Sequence, residues 1–449
     1  MIGGLLKSAS RLALVAAAGV IVGAYGTQAQ AADLGGDCCA DLEERVAELE
    51  ATTARKGNRK VSLTVYGQVN EMVLFWDDGD MSDVYQVTND VSRGRFGFRG
   101  SAKIDSDLSA GYRIEIGIRT ANSASVSQFN DDFGDFLPGD DFGGGIDLRH
   151  MFWYIDSKSL GRLTVGQTDT PSSSTFTLTL ANIPHIEADP SNMGAGMFVR
   201  QGDGVLTTTI WDDLMHPTQG SLSRRNEILY TSPEFAGFQF SAAWGESDFW
   251  SVALAYAGEF SGFRLAAKVA YADVSDAATF GIDADEFRGC HLGPLGNDSS
   301  HTEVDCHQWV VGASLMHVPT GLFVSGGYVN FTDDNRQLVL GPGVDDNDEA
   351  WYVHAGIKQK WFAAGKTTIY GEYGEQENGN FVSVESGGLA SHGGKTMSYW
   401  GLGLVQSVDA AAMDFYLFYR QLSVEIPEDL LAAGAEDLQL VGAGAIIRF

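Results

Sequence analysis

Basic residues are scarce in this chain: 29 lysines and arginines stand against 59 aspartates and glutamates, for a formal charge of −30 at pH 7. So large an acid excess excludes nucleic acid as a partner and disfavours direct docking on anionic lipid, because both are polyanions. Proline is scarce too, at 10 residues, which leaves long central strands unbroken. Beyond the N-terminus no run approaches the roughly 18 consecutive apolar residues of a spanning helix. That absence excludes helical spans but not a closed sheet, whose lipid-facing and lumen-facing side chains alternate. Catalytic signatures are missing as well: there is no Gly-x-Ser-x-Gly, His-Glu-x-x-His, Cys-x-x-Cys or phosphate-loop pattern. Carboxylate pairs are so common in an acidic chain that none marks an active site, and no cofactor or metal is expected.

What is plentiful is glycine, with 55 residues, and aromatics, at 11%, which suit tight strand packing and interfacial girdles. The N-terminus reads as an export signal. Lys7 and Arg11 form its basic start, Leu12 to Val22 its apolar core and Ala29-Gln30-Ala31 its cleavage site. Residues 1–31 are set apart as this signal peptide; losing its two cations takes the charge from −30 to −32. At the other end Val441, Ala443, Ala445, Ile447 and Phe449 share one strand face, opposite Gly442, Gly444 and Arg448. An apolar terminal strand closing on an aromatic is how an outer-membrane β-barrel is offered to the barrel-assembly machinery.

Between these ends sixteen segments read as strands, from 61–76 to 438–449, most of them about ten residues long, enough for a tilted bilayer crossing. Connectors alternate strictly: tight turns such as Ser106-Asp107 and Pro319-Thr320 on one side, long acidic Gly-rich loops on the other. That asymmetry is the outer-membrane one, and sixteen strands leave an aqueous channel. Residues 61–449 are thus expected to form an all-β, antiparallel transmembrane barrel in the outer membrane, both chain ends periplasmic.

Alternation shows which face is wet. Tyr112, Ile114, Ile116 and Ile118 oppose Arg113, Glu115 and Arg119, while Phe96 and Phe98 oppose Arg93, Arg95 and Arg99. A soluble antiparallel sandwich would alternate too, but it would not carry the export signal and turn asymmetry. A lipid-facing charge at mid-bilayer costs ~2–4 kcal/mol, so the arginine face is assigned to the lumen.

Residues 169–223 form the third long loop, too long to be structureless unless it folds onto something. The apolar stretch from Phe176 to Ile183 lets it pack, and Glu187, Asp189, Asp203, Asp212 and Asp213 give it charge. Folded inward, it would narrow the lumen and set acids against Arg95, Arg99, Arg113 and Arg119, a transverse field that favours hydrated permeants. The plainer alternative is an external loop whose acids are simply solvated.

The stretch from Ala32-Asp33 through Cys38-Cys39 to Val65-Tyr-Gly-Gln-Val69 resembles the start of mature alphaproteobacterial general porins of the rhizobial and Brucella type. Ser92-Arg-Gly-Arg-Phe-Gly-Phe-Arg-Gly-Ser101 and Gly161-Arg-Leu-Thr-Val-Gly-Gln167 are similar to that family as well. The resemblance implies a homotrimer of water-filled channels with the third loop inside each barrel, contacting outer-membrane lipids and lipopolysaccharide. Ala32-Asp33 resembles a site of attachment to peptidoglycan. Solute preference does not carry over.

Within residues 32–60, Leu42, Val46 and Leu49 follow a coiled-coil spacing, too short to be stable alone but helped if three copies are held together; an isolated helix is the alternative. Cys290 and Cys306 are candidates for a disulfide in an oxidising compartment, with zinc bound beside His291, His301 and His307 as the rival reading. Acids such as Asp131-Asp132 and Asp345 to Glu349 lack calcium-loop spacing. Passive, mildly cation-selective diffusion of small hydrophilic solutes is the leading function. An envelope-tethering or adhesive barrel and a barrel hydrolase are the alternatives.

Overall fold

The protein is described here by a computed structural model covering residues 60–131, 145–181, 183, 190–215, 224–246, 248–279, 290, 293–295, 298–340, 345–378, 383–384, 389–390, 395–425 and 434–449. Residues 1–31, expected as a signal peptide, and Ala32, Cys38, Cys39, Leu42, Val46 and Leu49 lie outside the described residues. In chain order the first strands are β1 (Thr64–Asp77), β2 (Ser82–Thr88), β3 (Gly94–Lys103), β4 (Leu108–Ile118), β5 (Ile146–Ser157) and β6 (Gly161–Asp169). Then come β7 (Phe198–Arg200), β8 (Leu206–Ile210), β9 (Arg224–Thr231), β10 (Phe238–Gly245), β11 (Trp250–Phe260) and β12 (Phe263–Thr279). These are followed by β13 (Gly293–Leu295), β14 (Asp298–His317), β15 (Leu322–Asp333), α1 (Arg336–Leu340), β16 (Asn347–Phe362) and β17 (Gly365–Asn378). The last are β18 (Ser383–Val384), β19 (Leu389–Ala390), β20 (Lys395–Val408), β21 (Met413–Glu425) and β22 (Leu438–Arg448).

β7 pairs with β8, and β18 with β19, as separate hairpins; all the other strands join one antiparallel sheet. β2 and β3 share a single stave, both pairing with β1, with a 3-10 turn at Asp90–Ser92 between them. β13 lies only along β14. Sixteen staves result, and the sheet closes on itself where β1 meets β22 in register from Gln68↔Arg448 to Asp77↔Gln439. Phe449 extends this seam: Gly67 N–H donates to its carbonyl at 3.0 Å and its own N–H returns the bond at 3.1 Å.

The strict alternation of connectors fails at one place. Between β10 and β11 the expected long loop is a tight turn, in which Gly245 and Phe249 exchange through a 3.0 Å backbone bond. The wall is also uneven. β9 and β10 have 8 residues each, whereas β12 has 17 and β14 has 20. The segment before 307, expected as loop, extends β14 because it pairs back with the end of β12 and with β13.

Outward positions carry the predicted apolar face: Val65, Val69 and Val73 on β1 are about half exposed, while Met72, Leu74 and Trp76 on the alternate positions are buried inward. Exposed Trp244, Trp250, Trp309, Tyr328, Trp351, Tyr373 and Trp400 mark β10 to β20, but β1 to β4 show no exposed Trp or Tyr. An apolar belt of this extent with aromatic borders fits hydrocarbon rather than water. The hydrophobic core lies inside the cylinder. Met193, Met197, Trp211 and Leu214 of the third loop pack with Leu74, Trp76, Leu438 and Leu440 of the wall.

Glycines make that inner wall flat. Tyr352, Tyr370, Tyr399, Tyr416 and Phe418 each lie directly across from a glycine: Gly327, Gly403, Gly374, Gly444 and Gly442. A Cβ on Gly374 would meet the Tyr399 ring at 2.5 Å, and one on Gly442 would meet Phe418 at 2.1 Å. Ring and bare backbone tile one surface.

At the long-loop end a buried ion pair joins segments far apart in sequence. Arg200 Nη2 donates to Asp78 Oδ2 at 2.9 Å, both side chains being under 5% exposed. Gln128 Nε2 donates to the same oxygen at 3.0 Å and Met81 N–H to Asp78 Oδ1 at 2.8 Å. Glu436 N–H then donates to the Arg200 carbonyl, tying in the last loop. Burial pushes the Asp78 carboxyl up, but Arg200 and the amide donors outweigh it and hold its pKa below the usual carboxylate range. A depressed carboxylate stabilises the fold above its unfolded pKa and loses that contribution as pH falls through the depressed value. Asp78→Asn strands a buried guanidinium and is expected to cost about 3 kcal/mol or more, checked by denaturant unfolding in detergent. The loop junction should resist acid down to pH values below ordinary carboxylate titration, and should lose that pH dependence in the variant.

Candidate pore constriction

The third loop leaves β6 at Asp169 and runs across the inner faces of β12 to β16. Lys268 Nζ donates to the Ser173 carbonyl at 2.9 Å, Leu180 N–H to Ser314 Oγ at 3.0 Å, and Thr179 Oγ1 bonds Ser325 Oγ at 3.0 Å. Lys358 Nζ reaches the Ala181 carbonyl. Close approach depends on missing side chains: a Cβ on Gly312 would sit 1.8 Å from the Thr175 carbonyl oxygen, and one on Gly327 2.3 Å from that of Phe176. Phe176, Ala181 and Ile183 are fully buried there, so the apolar stretch read from sequence is what seats the loop. β5 is the fourth stave and β16 the twelfth, half a circuit apart. The seated loop therefore faces β3 to β6 across the lumen.

On that opposite wall Glu115 is buried, and guanidinium groups surround it. Arg113 Nη2 donates to its Oε2 at 2.5 Å, Arg149 Nε to Oε1 at 2.9 Å, and Arg95 Nη1 lies 3.7 Å away. Tyr66 OH donates to Oε2 at 2.9 Å and accepts from Arg113 Nε at 2.7 Å. Nearby, Arg93 pairs with Asp147 at 3.0 Å and Arg224 with Asp169 at 3.1 Å. One carboxylate shared by three arginines leaves the wall locally cationic inside a strongly acidic protein.

The structure brings Arg95, Arg113 and Glu115 together, with Arg99 below them beside Tyr66, 5.0 Å from the ring centroid. Arg119 stands apart, donating to Asp90 Oδ1 at 2.7 Å where the first loop folds in. Asp203 lies at the β7–β8 turn and accepts from Val205 N–H. Asp213 accepts from Ile210 N–H at the head of a 3-10 turn that also contains Asp212. Glu187 and Asp189 lie outside the described residues. Arg149 and His150 were missed because a register shift opposite Glu115 turns both inward. Their trace in the sequence is the outward series Ile146, Leu148, Met151, Trp153, which skips a beat between Leu148 and Met151. Arg225 and Glu227, buried on β9, followed the ordinary alternation against Ile228 and Tyr230 and were passed over at a loop edge.

Cys290 and Cys306 are joined as a disulfide with Cα atoms 6.0 Å apart. His307 Nδ1 lies 3.3 Å from Asp334 Oδ2; His291 and the His301 side chain lie outside the described residues.

A closed sixteen-strand cylinder with an apolar exterior, an ionic interior and, among the described residues, no helix long and apolar enough to cross a membrane defines an outer-membrane channel for passive diffusion. The chain belongs to the Gram-negative porin family, whose model matches residues 13–425. Solved structures share the fold at low identity. The anion-selective porin from Comamonas acidovorans is 15% identical with a TM-score of 0.53, covering 87% of this chain and 100% of its own. Pseudomonas putida OprB is 12% identical with a TM-score of 0.54, covering 91% and 97%. Salmonella typhi OmpF, solved with daunomycin, is 15% identical with a TM-score of 0.51, covering 88% and 99%. No curated protein matches the chain.

Gly312→Leu is expected to push the seated loop off its wall toward the arginines and to lower single-channel conductance. Gly371→Ala, whose added carbon meets nothing closer than 3.5 Å, should leave conductance unchanged in the same bilayer recordings.

Proposed function

We propose that residues 169–223 form the constriction of this channel and that the barrel-wall arginines supply one pole of a transverse field across it. The observation that carries the reading is the seating of Ser173 to Ala181 on staves half a circuit from Glu115 and its arginines. Polar solutes that keep their hydration pass such a field more easily than apolar ones. The excess of acids, −30 over the chain, gathers cations at the mouth and gives a mild overall cation preference, opposed by the wall. In a salt gradient the reversal potential should lie on the cation side. Arg113→Glu should move it further that way; an anion-side potential in the unmodified protein would show that the arginines outweigh the loops.

The reading extends to a homotrimer of the alphaproteobacterial type with both ends periplasmic, Phe449 serving assembly, the N-terminal segment bearing a short coiled coil and Ala32 available to peptidoglycan. The outer face supplies its own argument for self-association. Glu71 shares the outward side of β1 with Val69 and Val73, where it accepts from Thr88 Oγ1 at 2.9 Å and Gln86 Nε2 at 2.8 Å. A carboxylate partly exposed on the outer face is costly against lipid, and it lies on the arc that lacks exposed Trp and Tyr. A second copy covers that arc; lipid and lipopolysaccharide cover the rest. Glu71→Arg should convert trimers to heat-modifiable monomers on unboiled gels, and unaltered trimers would place the contact elsewhere.

A further inference from the structure

Nine arginines lie on the wall strands β3, β4, β5, β6 and β9 or within one residue of their ends. Eight of them have a carboxylate within 4.0 Å: Arg93, Arg95, Arg113, Arg119, Arg149, Arg162, Arg224 and Arg225. Arg99 is the exception. Among the described residues it makes no ion pair, and its guanidinium lies over the Tyr66 ring instead. An uncompensated guanidinium keeps its full attraction for an incoming anion, and its planar fork suits a carboxylate.

Arg99 opens into a cavity of ≈ 300 Å³ at the tight-turn end of the lumen, lined also by Tyr112, Arg113, Phe152, Tyr154 and Arg162. Arg162 stacks on Tyr154 with 4.3 Å between guanidinium carbon and ring centroid, so its charge faces the same space while its pair with Asp156 stays at the exposed rim. Phe152 and Tyr154 stand 6.4 Å apart on the inner face of β5, offering an apolar ring surface beside the cations. Cationic fork and aromatic wall together match a ligand with a carboxylate at one end and a flat ring at the other. A simple inorganic anion would use only the charge.

We propose that Arg99, with Arg162 and the Phe152–Tyr154 surface, forms a binding subsite for small aromatic carboxylates below the constriction. The subsite rests on the channel reading, because only a solute in transit reaches it. It holds such solutes briefly on the side of the constriction opposite the acidic loops, so that an anion disfavoured at the mouth is partly compensated within.

The test is single-channel recording in potassium chloride with benzoate, acetate or benzylammonium added at millimolar concentration. Benzoate should interrupt the open current, acetate much less and benzylammonium not at all. Removing one charge-assisted contact should weaken benzoate about tenfold, so Arg99→Gln should shift half-maximal block by that factor. Phe152→Leu should weaken benzoate but not the residual effect of acetate. A conducting wild type that benzoate does not block, or a block unaltered in Arg99→Gln, overturns the subsite and leaves the channel standing. Absence of any step-like current in the wild type overturns the channel reading and the subsite with it.

Discussion

Everything in this molecule depends on the seam between its first and last strands. In hydrocarbon an unpaired N–H or C=O has no water to turn to, so a sheet can live there only if it has no edge. The β1–β22 pairing supplies that closure, and the exchange between Gly67 and Phe449 carries it to the final residue. Once the edges are gone the two faces can differ completely. One is apolar with aromatic borders; the other holds ion pairs, a folded loop and water. The inner hydrophobic core is a consequence, since a loop drawn into a cylinder needs apolar wall to rest on. β1, β22 and the tyrosine-bearing strands provide it.

Charge is arranged against the average. The protein as a whole is strongly acidic, yet the wall facing the seated loop gathers three arginines around the single carboxylate of Glu115. Glu115 is the pin: buried, accepting from Arg113, Arg149 and Tyr66, it keeps like-charged side chains close together without giving up their net positive field. Where compensation stops, at Arg99, the field is free to act on a solute.

Most of the barrel was legible from the sequence because its period is two and its outward face must be apolar. Arg95, Arg113 and Glu115 were readable for the same reason, each opposing isoleucines or phenylalanines. Arg149 and His150 were not read, because a bulge places two adjacent residues on one face and breaks the period that made the others visible. The seating of the third loop was half legible: Phe176 to Ile183 announced an apolar contact, but nothing local said that Gly312 and Gly327 were its floor. The junction of Asp78 with Arg200 was invisible, since the partners are 122 residues apart and neither sits in a periodic run. The short connector before Trp250 shows the converse error, a rule about loop lengths applied where the wall is lowest.

The tiles of ring and glycine on the inner wall have a meaning beyond smoothness. Each aromatic lies across from a glycine of a neighbouring strand, so a slip of that strand by two residues would keep every side chain on its proper face yet drive a ring into a Cβ. Hydrophobic patterning is blind to such even-numbered slips, while steric indexing is not. Tyr370 against Gly403 and Tyr399 against Gly374 key the same two strands in opposite senses, locking their alignment from both sides. The inner surface thereby serves as a vernier for a sheet whose outer face, greasy and repetitive, has no means of counting.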